Sequence, residues 1–178
     1  INNSKKWDYE NGFYLTSKID RMSKIISHYE LFKLILSLEG SIIECGVYKG
    51  SSFVRLASFR GLLEKSSSRK IIGFDAFGNF PLQDNNDDND FIKNFEMAGG
   101  PGLKINDLEA VLEYKSISNY ELIKGDIINT IPKFINDNPE IKIAMLHIDV
   151  DVFEPTKVIL NNFYSKVVKG GVIIFDNY

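Results

Sequence analysis

The chain has 178 residues, of which 44% are apolar and 25% charged, a size and composition typical of one globular domain. Its net charge of -3 argues against nucleic acid as the main partner, because nucleic-acid-binding proteins usually carry a basic face. No apolar run reaches the ~20 residues of a membrane span, and no signal-peptide pattern opens the sequence. A single cysteine excludes an internal disulfide. We expect a cytoplasmic protein of one domain, 1–178, that binds neither membrane nor nucleic acid.

The first predicted element is a helix over residues 17–38. Apolar residues recur at three- and four-residue spacing across this stretch. Thr16 or Ser17 can cap its start, and Gly40 ends it. Residues 16–38 are therefore expected to form an N-terminal helix ahead of a core that spans 41–178.

Five short apolar runs alternate with helical patterns through the rest of the chain. The predicted strands cover 42–45, 71–75, 120–124, 141–148 and 172–175. Helical patterns lie at 53–63 and 107–114 and begin near Thr130 and Glu154, the last being stopped by Gly170 and Gly171. Such alternation predicts an α/β fold with a mostly parallel sheet and helices on both faces.

Residues 76–104 interrupt this alternation. The stretch 84–90 is wholly polar, and 99–102 contains three glycines and a proline. A loop of this length inside a domain is usually functional or disordered. The sequence therefore predicts a mobile, solvated loop near the site.

A glycine-containing turn follows the first strand. Gly46 and Gly50 allow the backbone to approach a ligand closely, and Ser51 and Ser52 add hydroxyl donors at the start of a helix. These residues suit a ligand-binding turn and an ordinary strand-to-helix turn with serine caps about equally well. Both interpretations stay open on this segment alone.

Three side chains around this turn bear on the ligand. Tyr48 stands where a dinucleotide-binding pattern has its second glycine, so a pyrophosphate is disfavoured. Glu44 would repel a phosphate but suits the ammonium of an amino-acid-bearing cofactor such as S-adenosylmethionine. Asp75 ends the second strand, where it can accept hydrogen bonds from ribose hydroxyls.

Oxygen-bearing side chains end the fourth and fifth strands. Asp149 follows the fourth strand, and Asp176 and Asn177 follow the fifth. If the two strands are neighbours, these groups meet at the carboxyl edge of the sheet and form a set suited to Mg²⁺ or a similar divalent ion. The alternative is that they are turn or cap residues. Asp151 suits a further ligand and a turn residue equally.

Both histidines are predicted to be structural. His147 lies on the apolar fourth strand, where a core histidine is the commoner finding, and His28 lies on the first helix. Neither is assigned to the site.

Five motifs in order resemble those of the macrocin O-methyltransferase (TylF-type) family of sugar methyltransferases. They lie at residues 41–52, 73–77 with 80–81, 124–127 with 130–132, 147–156 and 170–178. The resemblance implies a Rossmann-like class I methyltransferase fold. It also implies transfer of a methyl group from S-adenosylmethionine to a hydroxyl of a sugar or sugar nucleotide.

The resemblance further implies which residues act. The cofactor would contact Glu44, Gly46, Gly50, Ser51, Ser52, Asp75 and Asp126, and Mg²⁺ or a similar ion would bind Asp149, Asp176 and Asn177. Asp149 is the expected catalytic residue, since it would hold the ion beside the methyl donor. The family commonly has an aspartate at position 177, whereas catechol-type O-methyltransferases have Asp, Asp and Asn, so a catechol-type acceptor stays open.

The resemblance also implies elements beyond the last residue. Class I folds carry two further strands there, and sugar methyltransferases tend to place a general base there. Val152 and Phe153 occupy the region where catechol-type enzymes have a catalytic lysine. Without those strands the fifth strand would be an unprotected edge or would pair with a partner, so a homo-oligomer is an open expectation. A nicotinamide-dependent dehydrogenase and a non-catalytic cofactor-binding protein are the remaining alternatives.

Overall fold

The computed structural model describes residues 5–65, 67–82 and 86–176, without the side chains of residues 86 and 87. Its helices are α1 Lys6–Thr16, α2 Ile19–Leu34, α3 Ser51–Leu63, α4 Asn86–Gly99, α5 Ile105–Tyr114, α6 Ile127–Asp137 and α7 Phe153–Phe163. Its strands are β1 Ser41–Cys45, β2 Ile71–Asp75, β3 Tyr120–Lys124, β4 Ile143–Ile148 and β5 Val167–Phe175. In this described part of the chain, every helix is too short or too polar to span a lipid bilayer.

The five strands form one parallel sheet in the order β3-β2-β1-β4-β5. One face packs against α2, α3 and α5 through residues such as Phe32, Phe53 and Leu108. The other face packs against α6 and α7 through Phe134 and Phe163. The apolar runs arise because a central parallel strand is buried on both faces. The predicted α/β fold is confirmed.

Three strand boundaries differ from the prediction, that of β1 by a single residue because β1 begins at Ser41. β4 begins at Ile143, and β5 begins at Val167, so Gly170 and Gly171 lie inside β5 and do not end a helix. Glycine is needed there because a β-carbon on Gly171 would lie 3.0 Å from the carbonyl oxygen of Ala144 on the neighbouring strand. Gly171 therefore marks a close approach of two backbones, whereas Gly170 has a φ of +86°, which favours glycine.

The predicted helix over 17–38 is wrong in its bounds. Thr16 ends α1, where its hydroxyl donates to the Gly12 carbonyl at 2.7 Å, and α2 begins without a side-chain cap. α2 ends at Leu34, ahead of Gly40, because the Arg69 guanidinium binds the carbonyl oxygens of the residues that follow. α1 has no buried residue, and so its sequence has no apolar stripe to detect.

The helix expected to begin near Thr130 begins at Ile127. Asp126 is its N-cap, since the Asp126 carboxylate accepts a hydrogen bond from Ile128 N at 2.9 Å. Thr130 lies inside the helix and donates its hydroxyl to the Asp126 carbonyl. Aspartate supplied the cap that the prediction assigned to threonine.

The predicted mobile loop over 76–104 contains helix α4. Phe91 and Phe95 stack one turn apart with ring centroids 6.0 Å apart, and Ile92 is buried. The Tyr48 hydroxyl donates to the Gly99 carbonyl at 2.8 Å, which holds the end of the helix against the glycine turn. The polar composition of residues 84–90 gave no indication of these apolar contacts. Residues 83–85 lie outside the described residues.

Candidate functional site

The carboxyl ends of β1, β4 and β5 are joined by backbone hydrogen bonds that continue past the strands. Asp149 N donates to Cys45 O at 2.8 Å, and Asp176 N donates to Ile148 O at 3.1 Å. These bonds bring Asp149 and Asp176 to one edge of the sheet, beside the turn that follows β1. The convergence expected from the sequence is confirmed for these two residues, whereas Asn177 lies outside the described residues.

A cavity of about 400 Å³, called the main cavity below, opens at this edge. Seven of the residues predicted for the site line it: Gly46, Ser51, Ser52, Asp75, Asp126, Asp149 and Asp176. Glu44 and Gly50 do not belong to its lining. A cavity beyond the carboxyl ends of parallel strands is the usual place for a ligand in such folds.

The glycine turn is shaped by close contacts. Gly46 has φ +90°, and a β-carbon there would lie 1.9 Å from the Asp149 carbonyl oxygen. Gly50 has φ +78° and is the N-cap of α3, so Ser51 and Ser52 are the first helical residues rather than caps. Both serines therefore lie at the helix start, where backbone N–H groups face the cavity region.

Asp75 holds the turn in place. One oxygen of its carboxylate accepts from Val47 N at 2.8 Å and from Tyr48 N at 2.9 Å, and the other accepts from Phe77 N at 2.6 Å. Asp75 also lines the main cavity. The contact of Asp75 with a ribose stays a prediction; Oδ1 accepts one hydrogen bond and retains acceptor capacity, whereas Oδ2 already accepts two.

Glu44 lies within the sheet rather than at the cavity wall. Its side chain is fully buried, and its Oε1 lies 3.0 Å from Nδ1 of His147 on β4. Its other oxygen, Oε2, is buried and has no hydrogen-bond partner among the described residues. The expected contact between Glu44 and a cofactor ammonium stays a prediction.

The two site carboxylates have opposite pKa directions. Burial, and then the charge of Asp176, raise the pKa of Asp149 to about 7. Burial also opposes ionisation of Asp176, but its contacts with His147 and Lys24 hold the pKa of Asp176 well below its usual range. Two carboxylates therefore share one cavity, and cationic groups of the chain partly balance them.

A group of buried and partly buried basic side chains around Asp176 was not predicted from the sequence. Lys24 forms an ion pair with Oδ2 of Asp176, and His28 and His147 place Nε2 atoms 3.9 and 3.5 Å from Oδ1. Arg55 Nη1 lies 3.3 Å from Nδ1 of His28. His28, His147 and Asp176 present ligand atoms within 4.8 Å of one another, a second arrangement that could hold a metal ion.

The pKa values of the two histidines diverge. Burial, followed by the charge of His147, lowers the pKa of His28 to about 4. Burial also opposes protonation of His147, but its contacts with the carboxylates of Asp176 and Glu44 prevail and raise its pKa to about 9. The helical spacing of Arg21, Lys24 and His28 was the one available signal that these three lie on a single face of α2.

Sequence comparison places the chain in a known family. The profile of the macrocin-O-methyltransferase (TylF) family matches residues 19–178. The chain belongs to this family. As a TylF-family protein it is an S-adenosylmethionine-dependent O-methyltransferase, which favours methyl transfer over the dehydrogenase alternative. A search of curated protein sequences gives no match.

Solved structures agree with the TylF assignment. CalS11, a calicheamicin methyltransferase, is 25% identical, with a TM-score of 0.67 over 93% of this chain and 68% of that chain. An apo structure of CalS11, described as a TDP-rhamnose 3'-O-methyltransferase, gives 25% identity and the same TM-score over 99% of this chain and 70% of that chain. The O-methyltransferase NovP is 18% identical, with a TM-score of 0.72 over 87% of this chain and 64% of that chain. This likeness shows the shared fold.

Proposed function

We propose that the chain methylates a hydroxyl of a sugar or sugar-bearing small molecule, with a divalent cation held by Asp149 and Asp176. The observation that carries this proposal is that one cavity is lined both by the glycine turn and by these two carboxylates. The glycine turn suits the methyl donor, and the two carboxylates suit an ion that contacts the acceptor. Family membership supports the sugar acceptor.

The cofactor half of the proposal draws on three polar features of the main cavity. Ser51 and Ser52 at the start of α3 suit the carboxylate of the methionine moiety, because helix N-termini favour anions. Asp75 suits the ribose hydroxyls, and Asp126, at the start of α6, suits the adenosine end. S-adenosylmethionine supplies the methyl group on a sulfonium centre when it is bound.

The donor chemistry of Asp149 and Asp176 fits a hard divalent cation. Both are carboxylates that face the main cavity, and the pKa of Asp149 is raised in part by the charge of Asp176, a repulsion that a cation relieves. Lys24 already forms an ion pair with Oδ2 of Asp176. A bound ion would therefore either contact this carboxylate together with Lys24 or displace Lys24 from it. When bound, such an ion lowers the pKa of a coordinated hydroxyl and orients it.

The chain's own contribution is alignment. Methyl transfer is an in-line displacement, so the acceptor oxygen must lie within about 3–3.5 Å of the methyl carbon. The hydrogen bond from Asp149 N to Cys45 O fixes Asp149 directly against the glycine turn. The backbone thus holds the glycine turn, where the methyl donor is proposed to bind, next to Asp149 on the acceptor side. Their separation depends little on side-chain motion.

The test is formation of S-adenosylhomocysteine from S-adenosylmethionine with a panel of glycoside and catechol acceptors. We expect Asp149→Ala to abolish turnover with S-adenosylhomocysteine affinity nearly unchanged, and chelation of the wild-type protein by EDTA to abolish turnover until Mg²⁺ is restored. Asp107→Ala, at an exposed position on α5, is the matched control and should keep full activity. Activity that survives both chelation and Asp149→Ala would exclude the metal role.

A further inference from the structure

The carboxylate of Asp176 is contacted from two sides. Lys24 on α2 forms an ion pair with Oδ2, and Nε2 of His147 on β4 lies 3.5 Å from Oδ1. Nε2 of His28 lies 3.9 Å from the same oxygen, Oδ1. The backbone adds a further restraint, since Asp176 N donates to Ile148 O at 3.1 Å. Each oxygen of Asp176 therefore has its own basic partners.

The partners of the two oxygens differ in their access to the main cavity. Lys24 and Asp176 line the cavity, and the side chain of Lys24 is 31% exposed. The side chains of His147 and His28 are 0% and 4% exposed, and neither histidine belongs to the cavity lining. An ion that enters from the cavity therefore approaches Asp176 on the side of Lys24 and Oδ2, whereas Oδ1 faces the interior of the protein.

His147 is held in place by a second carboxylate. Its Nδ1 lies 3.0 Å from Oε1 of Glu44, its register partner on β1, and both side chains are fully buried. Nε2 of His147 is also buried and makes no hydrogen bond to any described residue, while Oδ1 of Asp176 lies 3.5 Å from it. A shift of Asp176 away from His147 would leave this buried nitrogen further from a partner, which is unfavourable.

Lys24 is the partner that a divalent ion can replace most readily. Its ammonium is a single charge on a flexible four-carbon stem, and the side chain is already partly exposed. Once displaced, the ammonium can be hydrated in the cavity, whereas a displaced His147 would stay buried. A divalent ion also interacts with Asp149, which lines the same cavity, and so attracts the two carboxylates more strongly than one ammonium does.

We propose that the two oxygens of Asp176 have separate roles: His147 holds Oδ1 in position, and Oδ2 passes from Lys24 to the divalent cation. Given the ion of the proposed function, on which this inference rests, Lys24 is displaced and does not share the carboxylate. His147 is then a positioning residue for the metal site, and Lys24 is a cation of the chain that competes with the metal. Removal of Lys24 should therefore tighten metal binding, whereas removal of the His147 contact with Oδ1 should weaken it.

The test is Mn²⁺ binding to the metal-free protein, measured by the electron paramagnetic resonance signal of free Mn²⁺. Lys24→Met keeps the apolar stem and removes the competing charge, so we expect Mn²⁺ to bind about fivefold more tightly or better. Arg21→Met is the matched control, because Arg21 also lies on α2 and lines the main cavity but forms no ion pair with Asp176 among the described residues. The control should change Mn²⁺ affinity by less than about twofold, since a cation without a direct contact is screened.

Two amides of different length test His147. The amide nitrogen of His147→Asn lies near the position of Nδ1 and can keep the contact with Glu44, but no atom replaces Nε2. The amide nitrogen of His147→Gln lies near the position of Nε2 and can still donate to Asp176. We expect Mn²⁺ to bind His147→Asn about fivefold more weakly than His147→Gln, a comparison without a charge difference because both side chains are neutral. Circular dichroism checks that each variant is folded before the titration.

The outcomes separate this inference from the proposed function. Unchanged or weaker Mn²⁺ binding in Lys24→Met overturns the inference, and so does equal tightening in Arg21→Met. Equal affinities of the two His147 variants overturn the positioning role, because a merely structural histidine would affect both variants alike. Failure of the wild-type protein to bind Mn²⁺ contradicts the metal role in the proposed function, and the inference with it.

Discussion

Glu44 and His147 face each other across β1 and β4 as register partners, and both side chains are fully buried. Nδ1 of His147 lies 3.0 Å from Oε1 of Glu44, while Nε2 of His147 lies 3.5 Å from Oδ1 of Asp176. The imidazole therefore connects a carboxylate in the centre of the sheet with one at the cavity. A buried charge is tolerated only when it is paired, and here each charge has a partner on the next strand.

The first prediction concerns this pair. Glu44→Ala leaves the imidazolium of His147 without its β1 partner and should lower the free energy of unfolding by about 3–5 kcal/mol. Glu39→Ala is the matched control, because Glu39 pairs with Lys142 on the surface and its side chain is 85% exposed. The control should unfold like wild type, since exposed ion pairs contribute little. Urea unfolding of both variants measures the difference, and similar values for the two would contradict the pairing.

The histidines predict how stability depends on pH in the metal-free protein. The pKa of His147 is raised to about 9, so its contribution is complete below its unfolded pKa of 6.5 and is lost as the pH rises towards 9. The pKa of His28 is lowered to about 4, so its effect has the opposite sign and removes stability as the pH falls from 6.5 to 4.

Stability should therefore fall as the pH rises from 6.5 to 9, whereas between pH 4 and 6.5 the raised pKa of Asp149 opposes the effect of His28 and keeps the acid limb shallow. The measurement is urea unfolding in EDTA at several pH values between 4 and 9. His147→Gln should flatten the alkaline limb and also change the acid limb, because the charge of His147 helps to lower the pKa of His28. A wild-type protein whose stability rises between pH 6.5 and 9 would be inconsistent with a protonated His147.

The glycine turn gives a prediction that compares alanine variants at Gly46, in the turn, and at Gly61, in α3. Gly46→Ala places a β-carbon 1.9 Å from the Asp149 carbonyl oxygen at φ +90°, so it should destabilise the fold and abolish S-adenosylhomocysteine binding. Gly61→Ala lies in the interior of α3 with no atom within 4 Å of the new carbon, and should stabilise the protein by roughly 0.5–1 kcal/mol. Thermal unfolding with and without S-adenosylhomocysteine compares them; cofactor binding by Gly46→Ala would contradict the close approach.

The parts of the fold that were predictable are those governed by local rules. β2 and β3 were expected at their observed bounds: β2 is a buried central strand with a short apolar run, whereas β3 is a half-buried strand at the edge of the sheet. The meeting of Asp149 and Asp176 was also predictable, because carboxyl ends of neighbouring parallel strands share one edge. Sequence and topology were enough for these two carboxylates.

The remaining parts depend on contacts between residues far apart in the chain. Lys24 and His28 reach Asp176 because α2 packs over the sheet at one angle, and helical spacing does not give that angle. Arg69 ends α2 from 31 or more residues away. In the same way α4 depends on Tyr48, whose position no local pattern encodes. Tertiary contacts of this kind override local propensity.

The contact between Tyr48 and α4 gives the last prediction. The Tyr48 hydroxyl donates to Gly99 O at 2.8 Å, and its ring lies 5.1 Å from that of Phe95. Tyr48→Phe removes the hydrogen bond but keeps the ring, at a cost of about 1 kcal/mol, which corresponds to a roughly fivefold rise in local opening. Amide exchange within α4 should accelerate by about this factor.

The exchange should rise in α4 and nowhere in the central sheet, because only α4 loses a contact. Tyr114→Phe, at an exposed position that ends α5, is the control and should leave the exchange of α4 unchanged. Since Ile92 and Phe95 of α4 line the main cavity, a looser α4 should also raise the KM for the acceptor while kcat changes less. Exchange of α4 at the wild-type rate in Tyr48→Phe would show that the aromatic packing of Phe95, rather than the hydroxyl, holds the helix over the cavity.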